Sequence, residues 1–215
     1  MEKYFPKDKI YLTGNPVRED VVNINGKKEN ACAFFKLNPD IKTVLVIGGS
    51  LGARSINESV EKHLEFFEKN KIQVIWQTGK AYYSKALEYI SKYGNLRVFE
   101  FITQMDLAYA VADVVVSRAG AIAVSEICAI KKPAILIPSP NVAEDHQTKN
   151  AQALVNYNAA LMIKDSEAQE VLGGAVLNLL QDGNLRGELI KNIAALDFKN
   201  AADVIADLVF NTIKK

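Results

Sequence analysis

A glycine-rich segment that could hold a phosphate group runs from residue 48 to 55, directly after the apolar stretch Thr43–Ile47. Glycines between a strand and a helix let the backbone approach an anion, and the helix start offers unpaired N–H groups. Ser50 adds a hydroxyl donor. A tight strand-to-helix turn also favours glycine, so this segment alone indicates either a phosphate site or a simple turn.

The spacing of these glycines excludes two familiar nucleotide-binding loops. Residues 48–55 fit neither the P-loop pattern GxxxxGK[ST] nor the dinucleotide pattern GxGxxG. The second apolar stretch ends in Gln77-Thr78-Gly79, without the carboxylate that holds a ribose in dinucleotide-binding proteins. An NAD-dependent oxidoreductase is therefore disfavoured.

A second glycine-opened helix is predicted after residues 113–117. Gly120 stands at its start, and Glu126 follows six residues later, about one and a half turns into the helix. A carboxylate there can accept charge-assisted hydrogen bonds from two neighbouring ribose hydroxyls. The alternatives are a solvated helix glutamate or an ion pair with Arg118.

A third polar cluster follows a proline-stiffened loop. His146, Gln147 and Asn150 are side chains of the kind that bind sugar hydroxyls, and His146 is also a possible general base. The other histidine, His63, is predicted to be structural. The sequence carries no HExxH and no paired CxxC, so we expect no protein-bound metal and no cofactor.

Six short apolar stretches must position these loops. Each is rich in Val and Ile and apolar at consecutive positions, which is typical of parallel strands covered on both faces. They are residues 43–47, 73–77, 97–101, 113–117, 134–137 and 160–163. Segments with helical spacing lie between them, which predicts an α/β fold: a Rossmann-like parallel sheet flanked by helices. Ligands bind such sheets beyond the carboxyl ends of the strands.

This pattern divides the chain into three parts. Residues 1–40 are predicted to be a junction segment with a short strand at 9–12 and a short helix at 30–37. Residues 41–164 form the Rossmann-like domain. Residues 165–215 form helices packing on it, two of them divided near Gly183 and a last one ending near Ile213.

Composition narrows the class of protein further. Lys and Arg number 26 against 25 Asp and Glu, a net charge of +1, which argues against a nucleic-acid partner. No apolar stretch reaches the roughly 18 to 20 residues that span a bilayer, and no signal peptide is evident. The cysteines, Cys32 and Cys128, are far apart, which predicts two buried thiols in a reducing, cytoplasmic compartment.

Several segments, taken in order, carry a resemblance to a known family. They are TGNPVR at 13–18, VIGGSLGAR at 46–54, QTGK at 77–80, FI at 101–102, ADVVVSRAGA at 112–121, VSE at 124–126 and DHQTKNA at 145–151. This ordered set resembles the MurG family of UDP-N-acetylglucosamine transferases, which convert lipid I to lipid II in bacterial cell-wall synthesis. The resemblance implies one half of the GT-B architecture, the C-terminal half that binds the sugar donor.

The resemblance assigns the nucleotide to three places. The backbone of Ile102 would meet uracil, and Glu126 would hold the ribose hydroxyls. Ser50, the turn at 48–52 and the helix start at 120–122 would surround the diphosphate. The residues implied for these contacts are Gly49, Ser50, Ile102, Gly120, Ala121, Ile122 and Glu126.

The resemblance also assigns the sugar and a positive charge. His146 and Gln147 would face the N-acetylglucosamine hydroxyls, and Arg18 would lie near the phosphates or the domain junction. Many family members have Thr or Ser where this chain has Ala123, and glutamine is common where His146 stands.

The same resemblance implies partners and a setting. The donor is UDP-N-acetylglucosamine, and the lipid I acceptor and the catalytic base belong to an N-terminal domain expected to be absent, so no catalytic residue is expected in this half. The whole enzyme is expected to be peripheral on the cytoplasmic face of the inner membrane. Two alternatives remain open: half of an enzyme like UDP-N-acetylglucosamine 2-epimerase, or a stand-alone nucleotide-sugar binding module.

Overall fold

The apolar stretches form six parallel strands, as the sequence predicts, in a computed structural model that describes residues 4–196 and 201–213. The strands are β1 (Thr43–Ile47), β2 (Gln73–Gln77), β3 (Leu96–Phe99), β4 (Val114–Ser117), β5 (Ala134–Leu136) and β6 (Leu161–Met162). Their order across the sheet is β3-β2-β1-β4-β5-β6. The chain therefore winds outward from β1 to one edge, returns, and winds from β4 to the other edge.

Helices follow the strands and cover both faces of the sheet. Within the described ranges they are α1 (Glu19–Val22), α2 (Lys28–Phe35), α3 (Arg54–Lys69), α4 (Lys80–Leu87), α5 (Met105–Val111), α6 (Ala121–Ile130), α7 (His146–Val155), α8 (Ala168–Gln181), α9 (Gly183–Ala195) and α10 (Ala201–Ile213). Short 3-10 turns occupy Lys7–Lys9, Ala143–Asp145 and Asp165–Glu167. None of the helices in these ranges is long and apolar enough to cross a membrane.

Alternate residues of the strands feed two separate apolar cores. On β1, Leu45 and Ile47 belong to the core beneath α2, α5, α6 and α7, whereas Val44 and Val46 belong to the core beneath α3, α4 and α8. All five residues of β1 are buried, because a central parallel strand has helices on both faces. Both cysteine thiols are free and buried, as predicted.

The predicted fold class and the six strands are confirmed, with strand ends that differ by up to two residues. The two C-terminal helices are confirmed as α8 and α9. They are separated at Asp182, whose side chain accepts a hydrogen bond from the backbone N–H of Leu185 (2.9 Å) and caps α9. The predicted short helix at 30–37 is confirmed as α2, which starts two residues earlier.

The predicted strand at residues 9–12 is wrong. Lys7–Lys9 form a 3-10 turn, and the residues after it have no strand assignment. A strand needs a hydrogen-bonded neighbour and at least one covered face, yet Tyr11 and Leu12 are 65% and 100% exposed. This segment lies outside the sheet.

A close contact between α3 and α8 fixes how the C-terminal helices sit on the sheet. A Cβ on Gly173 of α8 would come closer than 3 Å to the ring of His63 on α3. That ring lies beside Phe66 and Phe67 and is held through Nδ1 to the carbonyl O of Ser59 (2.8 Å). His63 is thus structural, as predicted.

The adjacent glycines of α8 allow a matched test of this packing. Gly174 is exposed with open space where a Cβ would stand, so Gly174→Ala should raise the free energy of unfolding by about 0.5–1 kcal/mol through helix propensity. Gly173→Ala gains the same propensity but must displace the ring of His63, so it should lower that free energy by about 1–3 kcal/mol. Urea unfolding followed by circular dichroism measures both, and equal effects would contradict the proposed packing.

Candidate functional site

A crevice opens where β1 and β4 lie side by side. The two strands are paired, with Ile47 opposite Ser117. The chain leaves β1 toward α3 on one face and leaves β4 toward α6 on the other. This divergence is the switch point at which doubly wound sheets bind ligands, and the glycine turn, residues 48–52, lies there.

The turn has a backbone that suits an anion. Gly49 and Gly52 have φ angles of +87° and +78°, which side-chain-bearing residues rarely adopt. The N–H of Gly52 donates to the carbonyl O of Gly49 (3.1 Å), which closes the turn. No side chain among the described residues caps the start of α3 or of α6, so both helix N-termini present unpaired donors toward this edge.

A cavity of about 390 Å³ lies over this turn. It is lined by residues 48–53 together with Arg118, Ser139 and Gln147. The cavity therefore draws on the carboxyl ends of three adjacent strands, β1, β4 and β5. Its lining is mostly backbone and polar side chains, which suits a small charged group better than an apolar one.

The turn rests directly on the backbone that follows β2. Gly79 has a φ of +73°, and a Cβ on it would come closer than 3 Å to the carbonyl O of Leu51. A Cβ on Gly52 would likewise come closer than 3 Å to the carbonyl O of Thr78. The side chain of Asn57 secures this arrangement, since its Nδ2 donates to the carbonyl O of Thr78 (2.8 Å).

Arg118 is a site residue that the sequence analysis did not assign. Its side chain is 13% exposed, and its guanidinium donates to the carbonyl O atoms of Ile137 (3.0 Å) and Pro138 (3.2 Å) and to Oγ of Ser55 (2.7 Å). It also forms a close ion pair with Asp165. Arg118 is therefore a largely buried positive charge that lines the cavity, and its carboxylate partner is Asp165, not Glu126.

Glu126 is neither free in solvent nor paired with Arg118. It lies on α6, partly buried, and Oε2 accepts a hydrogen bond from the hydroxyl of Tyr109 (2.8 Å). Burial, with the adjacent carboxylate, raises the pKa of Tyr109 well above its usual value, so this hydroxyl stays protonated and donates. Tyr109 fixes the orientation of the Glu126 carboxylate.

The N-terminal segment contacts α6 one residue from Glu126. Nδ2 of Asn15 donates to Oγ of Ser125 (3.1 Å). A cleft of about 670 Å³ runs between this segment and the helices α6 and α7. Arg18 lies just beyond, at the start of α1, with an exposed side chain 4.0 Å from Asp20, and it does not line the glycine cavity.

The remaining predicted residues occupy the same edge of the sheet. Ala121 and Ile122 stand exposed in the first turn of α6, after Gly120. Ile102 follows β3, and its backbone N–H is already engaged, donating to Oε1 of Gln77 (2.9 Å). The backbone carbonyl of Ile102 is therefore the group that remains for a nucleobase to contact.

The polar cluster predicted to bind sugar lies at the start of α7. Oε1 of Gln147 accepts from the backbone N–H of Ser139 (2.9 Å), which leaves its amide nitrogen at the cavity. His146 is exposed, and its Nδ1 lies 2.8 Å from the carbonyl O of Ala143. Nδ2 of Asn150 donates to the carbonyl O of Ala119 (3.0 Å), which ties α7 to the start of α6.

A known protein family matches the part of the chain that forms the sheet and the site. A sequence profile described as the glycosyltransferase family 28 C-terminal domain covers residues 43–205, which include the glycine turn, Arg118, Glu126 and α7. The chain belongs to this family. The N-terminal segment that carries Asn15 and Arg18 precedes the matched region.

Curated relatives carry the name UDP-N-acetylglucosamine–N-acetylmuramyl-(pentapeptide) pyrophosphoryl-undecaprenol N-acetylglucosamine transferase. The protein of that name from Parabacteroides distasonis is 51% identical over 217 residues, an alignment that covers 100% of this chain and 59% of the relative. The one from Cytophaga hutchinsonii is 49% identical, with 99% of this chain and 57% of the relative covered. The chain thus spans less than two thirds of these relatives.

Solved structures agree on the fold. MurG of Acinetobacter baumannii matches 92% of this chain and 57% of that chain, with a TM-score of 0.70 and 24% identity. WaaG, a glycosyltransferase involved in lipopolysaccharide biosynthesis, matches with a TM-score of 0.65 and 15% identity, over 95% of this chain and 57% of that chain. The predicted likeness to one half of a GT-B glycosyltransferase is confirmed at the level of fold.

The backbone contact beneath the turn gives a direct test. Gly79→Ala places a Cβ against Leu51 and forces an unfavourable positive φ, so it should lower the free energy of unfolding by about 2–4 kcal/mol. Gly94→Ala is the control, because Gly94 has no positive φ and has open space around it. Chemical unfolding of the two variants should differ clearly, and a Gly79→Ala variant as stable as Gly94→Ala would refute the contact.

Proposed function

We propose that this domain binds the UDP-N-acetylglucosamine donor of a transferase that converts lipid I to lipid II in peptidoglycan synthesis. The observation that carries the proposal is the cavity at the β1–β4 switch point, built from the glycine turn, Arg118 and Gln147. The identity of about 50% to the named transferases, over the whole chain, supports the choice of substrate.

The diphosphate would lie over the turn at 48–52. The donors would be the backbone N–H groups of Gly49 and Ser50 and the N-termini of α3 and α6. At α6 these are the N–H groups of Gly120, Ala121 and Ile122. All of them are preorganised for negative charge. Asp165 partly balances the charge of Arg118, and their ion pair holds the guanidinium in place. Arg118 would therefore add positive electrostatic potential at the cavity without a conformational change.

The nucleoside and sugar would lie on opposite sides of the diphosphate. Ile102 meets uracil through its carbonyl, and Glu126 accepts hydrogen bonds from the ribose hydroxyls. The sugar faces His146 and Gln147. The exposed guanidinium of Arg18 would reach the phosphates only when its side chain turns toward them, because it lies outside the cavity in this structure.

The proposed chemistry is an inverting sugar transfer. A hydroxyl oxygen of the acceptor attacks the anomeric carbon of N-acetylglucosamine as the bond from that carbon to the diphosphate oxygen breaks. UDP leaves with the electron pair, and the cavity's N–H donors stabilise the charge that develops on it. The base that takes the hydroxyl proton, and the acceptor site, belong to the part of the relatives that this chain does not cover.

The organisation and setting are part of the same proposal. Residues 41–164 would form the donor-binding unit, residues 1–40 the junction with an acceptor domain, and residues 165–215 its helical support. The whole enzyme would act at the cytoplasmic face of the inner membrane as a peripheral protein, where its lipid-linked acceptor is held.

Binding of UDP with substitution of Glu126 tests this assignment. The isolated domain should bind both UDP and UDP-N-acetylglucosamine in calorimetry. Glu126→Ala should weaken both by a similar factor, about ten- to a hundredfold, since the ribose is common to them. His146→Ala is the control: His146 is exposed and does not line the cavity, so its loss should spare UDP and weaken the sugar-bearing donor. Absence of UDP binding by the unmodified domain at millimolar ligand would refute the proposed function.

Tyr109 gives a subtler test of the ribose contact. Tyr109→Phe keeps the buried ring but removes the hydroxyl that orients Glu126, so UDP affinity should fall about three- to tenfold with little change in stability. In a Glu126→Ala background the same substitution should have no further effect on UDP affinity. Additive losses in the double variant would mean that Tyr109 acts independently of Glu126.

A further inference from the structure

The side chain of Gln77 connects two loops that the sequence analysis treated separately. Its Nε2 donates to the carbonyl O of Gly49 in the glycine turn (3.1 Å), and its Oε1 accepts from the backbone N–H of Ile102 (2.9 Å). Gln77 is the last residue of β2 and is only 3% exposed. It lies between the turns that follow β1 and β3, without reaching the cavity.

We propose that Gln77 is a positioning residue that holds the glycine turn and the base-side loop, the loop after β3 that carries Ile102, at a fixed separation. The inference rests on the proposed function, because it takes the ligand to be a nucleoside diphosphate whose two ends meet these two loops. A ligand that must meet both loops at once gains affinity from a site already set to its length, since less ordering is required on binding.

The backbone already joins the end of β2 to the base-side loop, so the side chain of Gln77 matters most for its bond to the glycine turn. The N–H of Thr78 donates to the carbonyl O of Phe99 (2.9 Å), and the N–H of Gly79 donates to the carbonyl O of Glu100 (3.1 Å). The end of β2 is thus bound by its backbone to the base-side loop. Toward the glycine turn, Gln77 supplies a side-chain hydrogen bond at Gly49, a residue with a positive φ in the exposed part of that turn.

The bridge needs both functions of an amide. One end of the side chain must donate to a carbonyl and the other must accept from an N–H, at the length of glutamine. Leucine fills similar space but does neither. A protonated glutamic acid can do both, whereas an ionised one only accepts and would repel the carbonyl O of Gly49.

Gln73 provides a control on the same strand. It is also buried and hydrogen-bonded at both ends of its amide, accepting from the N–H of Asn38 (2.7 Å) and donating to Thr43 Oγ1 (3.1 Å). It stands four residues away on β2, at the opposite end of the sheet, about 13 Å from Gln77 by strand geometry. A loss of buried amide contacts at Gln73 therefore reports on stability without touching the site.

The experiment measures the Kd for UDP of the unmodified domain, Gln77→Leu, Gln77→Glu and Gln73→Leu from about pH 5 to about pH 8. Each variant is compared with the unmodified domain at the same pH, which removes the effect of protonating the diphosphate. Gln77→Leu should raise the Kd about tenfold at every pH. Gln77→Glu should do so at about pH 8 and return toward the unmodified value at about pH 5, where burial favours its neutral form. Gln73→Leu should leave the Kd within about twofold.

The outcomes separate the two proposals. An unmodified domain that does not bind UDP contradicts the proposed function, and the inference with it. A domain that binds UDP while both Gln77 variants match it across the pH range overturns the inference alone. A Gln73→Leu variant that weakens UDP as much as Gln77→Leu also overturns it. Should Gln77→Leu fail to fold, the pH dependence of Gln77→Glu decides: a ratio to the unmodified domain that stays flat with pH would contradict the bridge.

Discussion

The backbone of residues 51 and 52 lies directly against that of residues 78 and 79, with no space for a Cβ on Gly52 or Gly79. This contact determines where the glycine turn can be. The sheet sets β1 beside β2, and the two glycines then let the turn after β1 settle onto the end of β2. Asn57 and Gln77 add side-chain hydrogen bonds around this contact, and the loop that carries Ile102 is bonded to the same strand end. The proposed phosphate and base subsites therefore share one support.

A second support lies across the crevice, where Arg118 joins the ends of β4 and β5 to the first turn of α3. A buried guanidinium is costly unless its donors are satisfied and its charge is paired. Here Ser55, Asp165 and two backbone carbonyls meet those needs. The resulting network keeps a positive charge beside the cavity in a fixed place, which is the arrangement expected where negative charge must be stabilised with little reorganisation.

The sequence predicts the strands and helices well because burial leaves a recognisable pattern of apolar residues. Consecutive apolar residues in Thr43–Ile47 or Gln73–Gln77 distinguish strands covered on both faces, and alternation with helices implies a parallel sheet. The same reasoning failed at residues 9–12, where a short apolar run has no neighbour to pair with. Strand order was not predicted, because which strands become neighbours depends on contacts between distant parts of the chain.

The polar network was largely out of reach of sequence reasoning. Arg118 and Asp165 are 47 residues apart, and Tyr109 and Glu126 are 17 apart, at spacings that no helix or strand period favours. Gln77 did leave a signal, because it is an amide at the end of a predicted buried strand. The sequence analysis used it to disfavour a dinucleotide site and as part of the QTGK segment of the resemblance, but assigned it no role in the site. The site residues implied by resemblance fall along one edge of the sheet, and Arg18 is the one that stands apart.

The most direct test of the central claim is a crystal structure of this domain with UDP bound. The account predicts the diphosphate over the turn at 48–52 with Arg118 beneath it, the ribose hydroxyls within hydrogen-bond distance of Glu126, and uracil at the carbonyl of Ile102. UDP bound instead in the cleft between the N-terminal segment and α7, or with its phosphates away from the glycine turn, would contradict it.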